Sequence, residues 1–411
     1  MSHQGPLVVV SPGGPGPLAS LLPGLKVFPI IEVAWPEARA AVQQVQPTAV
    51  VAATPDPNES HFVKLAHQLS ESRPYTPLIV IDPGTVLPHN ALPFSSVNGH
   101  PDGLSLRLNA ALRVRTLHAT VLRRTRGERA TRIRMLETDP IQDASVLLIG
   151  RGPTYPALSV ALGEQVGVVG ALSIEAAAKH LNVRELNGIV IGDGFSARVV
   201  DAFLSVLADD ARFRNLPVAV TPGDVAGSYE LPNLEFITGA PPLIAANILP
   251  LLRQNAFEIR LGRILKSIEA GGLLDPRTGL LMSAAFHRDL ATAVEETQAR
   301  GGGLCVARLR FDQTQDRVRF DAARLVSRLM RRTDFGALDD DGSIVVTFPD
   351  TDLRNAHMIT RRLASVIKHT VHGPRGASRV DPHTAVVALL PPDSAPSLLS
   401  RLNDEAQRAA S

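Results

Sequence analysis

The longest run of acidic residues in the sequence is Asp339-Asp340-Asp341, which is followed by Gly342. Three neighbouring carboxylates could hold calcium or magnesium, because these hard cations prefer oxygen ligands. The same run lies between two strand-like segments, and Asp-Gly favours a tight hairpin because glycine accepts a positive φ. Both interpretations are open from the sequence, and we favour the hairpin.

A second group combines arginine with aspartate, in the R-x-x-D string of Arg331 and Asp334 and in the later pair Arg361 and Arg362. A guanidinium can donate two hydrogen bonds to guanine O6 and N7, and a carboxylate can accept from guanine N–H groups. The string alone is a weak signal, because composition gives roughly two by chance. Strings that begin at residues 198 and 401 also fit it. The alternative is an exposed helix end with a weak i, i+3 pair.

Other catalytic and metal-binding patterns are missing from the sequence. The single cysteine, Cys305, excludes an intramolecular disulfide and a cysteine-based zinc site, and the twelve histidines have no metal-ligand spacing. The glycine run at residues 12–17 is interrupted by prolines and lacks the ending of a phosphate loop. No nucleophile elbow of a hydrolase is present. We therefore predict no metal site and no cofactor.

Composition limits the partners and the compartment. A chain of 411 residues favours two to four domains. The net charge of +2 and the aromatic content of 4% argue against nucleic-acid binding. No stretch approaches the roughly 18–20 apolar residues of a membrane span, and the N-terminus lacks the basic start of a signal peptide. We expect a cytoplasmic protein with no nucleic-acid partner and no membrane insertion.

Two stretches alternate short Val/Ile/Leu runs with longer helical segments, a pattern typical of parallel α/β units. They cover about residues 5–120 and 143–255. The predicted strands are 7–10, 49–52 and 78–81 in the first stretch, and 146–149, 167–169, 188–191, 218–220 and 235–237 in the second. Helices at about 104–122 and 242–253 close the two stretches. Each stretch therefore predicts a five-stranded doubly wound sheet.

Two further segments could make contacts. Residues 123–134 carry six arginines and one glutamate, which suits an acidic partner or, more simply, a solvated helix. Phe257, Leu261, Ile264 and Ile268 fall on one face of a helix that Gly271-Gly272 ends. That apolar stripe predicts either a homodimer seam or a helix that lies on the next domain.

The C-terminal third resembles a GGDEF domain, the fold of diguanylate cyclases. The match rests on four parts: residues 275–280, the R-x-x-D of Arg331 and Asp334, the strand and helix around Phe348-Pro349-Asp350-Thr351, and the closing strand and helix at 384–406. The spacing from Arg331 to Pro349 needs no gap. The two upstream stretches then resemble receiver domains, in the receiver–receiver–GGDEF layout of PleD-like response regulators. We predict domains at 1–125, 140–255 and 270–411.

This resemblance implies lost catalysis, as in PopA-type effectors. In the family, carboxylates hold magnesium against the phosphates of GTP. Here Arg308 and Arg310 stand where strand acids belong, and arginine offers no lone pair to a metal. The signature hairpin falls on Asp340-Asp341-Gly342-Ser343, so that aspartates replace two glycines and Ser343 replaces the last acid. The segment between Arg310 and Arg331 is also shorter than in the family, without the part that contacts guanine.

The receiver resemblance implies modules that are not phosphorylated. A working receiver uses magnesium-binding acids after its first strand, an acceptor aspartate after its third, a serine or threonine after its fourth and a lysine after its fifth. The second stretch keeps Asp193 and Thr221, but Gly150-Arg151 and Gly239-Ala240 replace the acids and the lysine. Without magnesium, a phosphoryl charge on Asp193 is poorly stabilised. The first stretch has Ser11-Pro12 and Ala53 at the matching positions. We interpret Asp193 as a vestigial phosphoacceptor.

These observations predict a catalytically inactive regulator in two-component signal transduction, with a role in cell-cycle or polarity control as one expectation. Cyclic di-GMP is the predicted regulatory ligand, bound by Arg331, Asp334, Arg361 and Arg362. Protein partners are expected to bind the receiver-like domains. Two alternatives stay open: an active diguanylate cyclase with unusual metal ligands that joins two GTP molecules, and a nucleotide-independent scaffold.

Overall fold

The computed structural model describes residues 5–11, 28–52, 60–83, 86–95, 103–125, 138–221, 229–311, 316–370 and 380–410. The glycine run at 12–17 and most of the arginine-rich segment at 123–134 lie outside these residues. The chain divides into two compact units: Met1–Lys179 with Leu186–Leu261, and His180–Glu185 with Gly262–Ser411. None of the described helices combines the length and the apolar character needed to cross a membrane.

The first parallel sheet has five strands in the order β2-β1-β3-β4-β5. Its elements are β1 (Leu7–Ser11), β2 (Ile30–Ala34), α1 (Ala38–Val45), β3 (Ala49–Ala52), α2 (Ser60–Ser70), β4 (Leu78–Ile81), β5 (Ala91–Phe94) and α3 (Gly103–Thr125). The three central strands, β1, β3 and β4, are buried along their whole length, and they are apolar except for Ser11 at the end of β1. Helices α1 and α2 cover one face, and α3 covers the other.

The second parallel sheet has the order β10-β9-β8-β6-β7. Its elements are β6 (Ser145–Ile149), α4 (Tyr155–Gly163), β7 (Gly167–Ala171), α5 (Ile174–Val183), β8 (Gly188–Ile191), α6 (Ala197–Asp209), β9 (Val218–Val220), β10 (Leu234–Phe236) and α7 (Pro241–Glu269). Both sheets therefore have the strand order of flavodoxin-like folds, in which ligands bind at the carboxyl ends where the order reverses. In the second sheet that place lies between β6 and β8.

A buried arginine joins the two sheets within the first unit. Arg107 of α3 is 1% exposed, and its guanidinium pairs with Glu235 of β10 at 2.7 Å. It also donates to the carbonyl oxygens of Pro93, at the end of the first sheet, and of Pro232 and Leu234, beside and on β10. The last strands of the two sheets are thus bonded through one side chain.

The apolar stripe on α7 is covered by the chain itself. The ring of Phe257 packs edge-on against His118 and Tyr75, at centroid distances of 5.0 and 6.0 Å. Leu261 and Ile264 are fully buried. Phe257 is thus in contact with two rings, Leu261 and Ile264 are buried, and Ile268 is half-buried. The stripe therefore lends no support to a homodimer, which stays a prediction.

The second unit contains a four-stranded antiparallel sheet in the order β12-β13-β11-β14. Its elements are α8 (Ser283–Arg300), β11 (Leu304–Arg310), α9 (Asp316–Leu329), β12 (Phe335–Leu338), β13 (Ile344–Pro349), α10 (Leu353–Thr370), β14 (His383–Ala388) and α11 (Ala395–Ala410). The β-α-β-β-α-β order is that of a split βαβ fold. Helices α9 and α10 cover one face, and α8 and α11 cover the other.

The mixed α/β class with two parallel sheets is confirmed, and every predicted strand is present within one or two residues at its ends. The helix predicted at 242–253 is one continuous helix, α7, that runs on to Glu269. The division into three domains stays a prediction, since the structure shows two compact units, of which the first holds both parallel sheets.

Candidate functional site

The acidic hairpin is organised around Arg308. This residue follows Leu304 and Val306 on the same face of β11, and it is paired with Val345 of β13. Its side chain is 8% exposed. One guanidinium nitrogen, Nη2, donates to Asp339 Oδ2 at 2.8 Å, and the other, Nη1, donates to Asp341 Oδ2 at 3.1 Å and to Ser343 Oγ at 2.6 Å. β11 therefore places the positively charged guanidinium of Arg308 in the turn between β12 and β13.

The turn itself is closed by backbone bonds and by one glycine. Asp339 N donates to Ser343 O at 2.8 Å, and Gly342 N donates to Asp339 O at 2.9 Å. Gly342 has a φ of +81°, which a side chain would strain. Asp341 Oδ1 accepts from Ser343 N and Oγ at 2.8 and 2.6 Å. The predicted hairpin is confirmed, and Asp340 is exposed at its tip.

These contacts fix the charge of the hairpin. Partial burial alone would raise the pKa of Asp341, but hydrogen bonds from Ser343 and the charges of Arg308 and Arg310 hold that pKa below its ordinary value. The carboxylate is therefore ionised and already faces a guanidinium. Among the described residues no group of three or more His, Cys, Asp or Glu side chains could hold a metal ion. The magnesium that the family resemblance implies does not fit beside Arg308.

The R-x-x-D string forms a turn between α9 and β12. Asp334 is 8% exposed, its Oδ2 accepts from Arg331 N at 3.0 Å, and its own N–H donates to Arg331 O. Burial raises the pKa of Asp334, and the bond and charge of Arg331 oppose that shift. The Arg331 guanidinium is exposed and forms no bond with any described residue. Arg331 therefore contacts Asp334 through its backbone N–H and C=O, and not through the side-chain i, i+3 pair that was the alternative interpretation.

The two other predicted ligand-binding residues lie on α10. Arg361 and Arg362 are exposed, and within the described part of the chain neither has a hydrogen-bond or ion-pair partner. The structure therefore leaves three predicted guanidiniums available, those of Arg331, Arg361 and Arg362. The fourth predicted residue, Asp334, is the buried member of an otherwise exposed turn.

Asp193 lies where the strand order of the second sheet reverses, but its carboxylate is occupied. Thr154 donates to both of its oxygens, through Oγ1 at 2.6 Å and through the backbone N–H at 3.4 Å. Gly152 lies directly against it, because a Cβ there would meet Asp193 Cγ at 2.3 Å. Thr221 turns its hydroxyl to Ile191 O at 3.1 Å. Ala53 and Pro12 of the first sheet lie outside the described residues.

We expect Asp193 to accept no stable phosphoryl group from acetyl phosphate or from a beryllofluoride mimic. Both carboxylate oxygens are bonded to Thr154, and Gly150-Arg151 replaces the acids that would hold a magnesium ion against the added charge. Intact-mass spectrometry is the measurement. A phosphoryl adduct that disappears in Asp193→Asn but persists in Asp201→Asn, a change at an exposed aspartate on α6, would contradict this expectation.

Sequence reasoning named Asp339 only as a possible cation ligand and missed Thr154 and Arg107 altogether. Asp339 instead shares the guanidinium of Arg308 with Asp341. Thr154 closes over Asp193. Arg107 is fully buried. The alternation of Arg308 and Arg310 along an otherwise apolar strand is the one signal that could have indicated a partner on a neighbouring turn.

Comparisons with known proteins add a partial likeness. The coiled coil and GGDEF domain of DgcB from Caulobacter crescentus, in complex with c-di-GMP, has a TM-score of 0.33 and 19% identity, over 37% of this chain and 87% of that one. Diguanylate cyclase SiaD in complex with its activator SiaC from Pseudomonas aeruginosa has a TM-score of 0.32 and 18% identity, over 37% of this chain and 64% of that one. The FimX GGDEF domain from the same organism has a TM-score of 0.31 and 16% identity, over 34% of this chain and 93% of that one. No family model and no curated protein matches the sequence.

Proposed function

We propose that this protein is a catalytically inactive regulator that binds cyclic di-GMP and couples it to contacts with other proteins. The observation that carries the proposal is the turn of Arg331 and Asp334, which has an exposed guanidinium without an internal partner beside a buried carboxylate. Asp334 Oδ1 has no hydrogen bond to any described residue, so it remains available to guanine N–H groups. The turn directly precedes β12, at the spacing of the family that the sequence resembles.

Loss of catalysis is supported by the Arg308 hairpin. A reaction between two GTP molecules needs metal-bound phosphates, and the carboxylates that could hold a metal are bonded to a guanidinium instead. The receiver-like character of the two parallel sheets, the PleD-like layout and the PopA-type role belong to the same proposal. We also propose that protein partners bind to the domains formed by those sheets. Asp193 is then a vestigial phosphoacceptor whose carboxylate accepts a hydrogen bond from Thr154.

Calorimetry with cyclic di-GMP tests the ligand site. Because Arg331→Ala removes a bidentate contact to guanine, affinity should fall roughly ten- to a hundred-fold, equivalent to about 1–3 kcal/mol. Asp334→Asn should also weaken binding, since an amide cannot match a carboxylate as an acceptor. Arg198→Ala is the matched control, because it alters another exposed R-x-x-D string. Absence of binding to the wild type at tens of micromolar ligand, or equal loss in the control, rejects the site.

We also expect no cyclic di-GMP from the purified protein with GTP and magnesium or manganese. The reason is the guanidinium of Arg308 among the hairpin carboxylates. Product analysis by chromatography and mass spectrometry is the measurement. Turnover that disappears in Asp340→Asn or Asp341→Asn would establish the alternative, an active cyclase, whereas traces of product unaffected by either change indicate contamination.

A further inference from the structure

Helix α10 presents a basic stripe to solvent. Its buried side consists of Ala356, Thr360, Leu363 and Ile367. On the opposite side, at i, i+4, i+7 and i+11, lie Arg354, Met358, Arg361 and Ser365, all exposed. The eighteen residues of the helix include no aspartate or glutamate. This arrangement leaves the solvent side of the helix with positive charge only.

The two arginines of the stripe, Arg354 and Arg361, are not paired with other described residues. Within the described residues, Arg354 and Arg361 form no hydrogen bond or ion pair. Lys368, near the end of the same helix, does have a partner in Asp381. Free guanidiniums keep all five N–H donors for another molecule. Between the two arginines lies Met358, which is 56% exposed. Arginine and methionine are enriched in protein interfaces.

The chemistry of the stripe favours one kind of occupant. A single-stranded nucleic acid would stack its bases on aromatic residues, and α10 has none. A duplex binds to many cationic side chains, but the net charge of the chain is only +2. A membrane surface would require a broad apolar face, but that face of α10 is buried in the core and only Met358 stands out within the stripe. Carboxylates on either side of an apolar side chain complement the stripe in both charge and shape. Arg354 and Arg361 are two turns apart, about 10.5 Å along the helix axis.

We propose that the α10 stripe is a docking site for an acidic helical segment of a partner protein. Two carboxylates spaced by two helical turns pair with Arg354 and Arg361, and an apolar side chain between them packs on Met358. Arg354 and Met358 take no part in the proposed cyclic di-GMP site, so this inference does not depend on that ligand. Arg361 is common to both, and the test therefore avoids it.

The probe is a fluorescently labelled helical peptide with two glutamates seven residues apart and a leucine between them, measured by anisotropy on the full chain. We expect binding that weakens as salt is added, because exposed charge pairs are screened. Arg354→Glu should reduce affinity at least about tenfold, and Met358→Ala should reduce it less. Arg288→Glu is the control for the change of charge. Arg288 is an exposed arginine on α8, on the other side of the sheet, and its only ion pair within the described residues is an exposed one with the adjacent Asp289. The peptide with glutamines in place of glutamates should not bind.

The inference is overturned if the wild type does not bind the glutamate peptide. It is also overturned if Arg288→Glu weakens binding as much as Arg354→Glu, or if phosphatidylserine vesicles bind while the peptide does not. Unchanged cyclic di-GMP affinity and unchanged melting in Arg354→Glu would show that the loss of peptide binding is local. Retained peptide binding without any cyclic di-GMP binding would reject the proposed function alone.

Discussion

Replacing Arg107 by alanine should lower the free energy of unfolding of the first unit by about 3–5 kcal/mol. The side chains of Arg107 and Glu235 are 1% and 5% exposed. Alanine would leave a buried carboxylate without a cation, and carbonyl oxygens at the ends of both sheets would lose their donor. Urea denaturation followed by tryptophan fluorescence is the measurement. The single tryptophan, Trp35, is buried beside Phe62 of α2 in the core on one face of the first sheet.

Arg113→Ala is the matched control for this prediction. Arg113 lies on the same helix and pairs with Glu258 at 2.8 Å, but it is 42% exposed, so its loss should cost less than about 1 kcal/mol. Burial raises the pKa of Glu235, and Arg107 opposes that shift. Without Arg107 the folded state would favour protonated Glu235 even more, so the deficit should shrink as the pH is lowered. Equal effects of the two substitutions would contradict the role of Arg107.

The strands that the sequence predicted and those that it missed differ in position within the sheets. β1, β3 and β4 are central and buried on both sides, and each contains a run of four apolar residues, so pattern alone identifies them. β2 and β5 are the edges of the first sheet. β2 contains Glu32 and β5 contains Pro93, which edge strands tolerate because one side of their backbone has no ladder partner. Such strands have no clear apolar signature.

In the candidate site, too, some features could be predicted from the sequence and others could not. The positions of Arg308, Asp341 and Ser343 followed from spacing, because β11, β12 and β13 are local in sequence and a glycine marks the turn. Their bonding did not follow, since it depends on the register that places Arg308 opposite Val345. The sequence indicated that arginine removes a metal ligand. It did not indicate that the arginine supplies the replacement cation.

Arg308→Ala should lower the free energy of unfolding of the second unit by about 2–4 kcal/mol. The guanidinium is 8% exposed and bonded to two carboxylates and a hydroxyl. The range lies below that of a fully buried pair because Asp339 and Asp341 are 39% and 55% exposed and regain water. With their cation gone, the two carboxylates repel each other across the turn. Amide hydrogen exchange in residues 335–349 should therefore become faster.

Fluorescence cannot follow this change, because Trp35 and all three tyrosines precede residue 230. Hydrogen exchange read by mass spectrometry and circular dichroism melting are the measurements. Arg310→Ala is the matched control: Arg310 lies two residues further along the same strand, is exposed and forms no hydrogen bond with a described residue. Its loss should change stability by less than about 0.5 kcal/mol.

Arg308→Lys keeps the charge but not the fork that reaches both carboxylates, so an intermediate effect is expected. If Arg308→Ala leaves exchange in the hairpin as slow as in Arg310→Ala, the guanidinium does not hold the turn, and the argument against a metal there loses its basis.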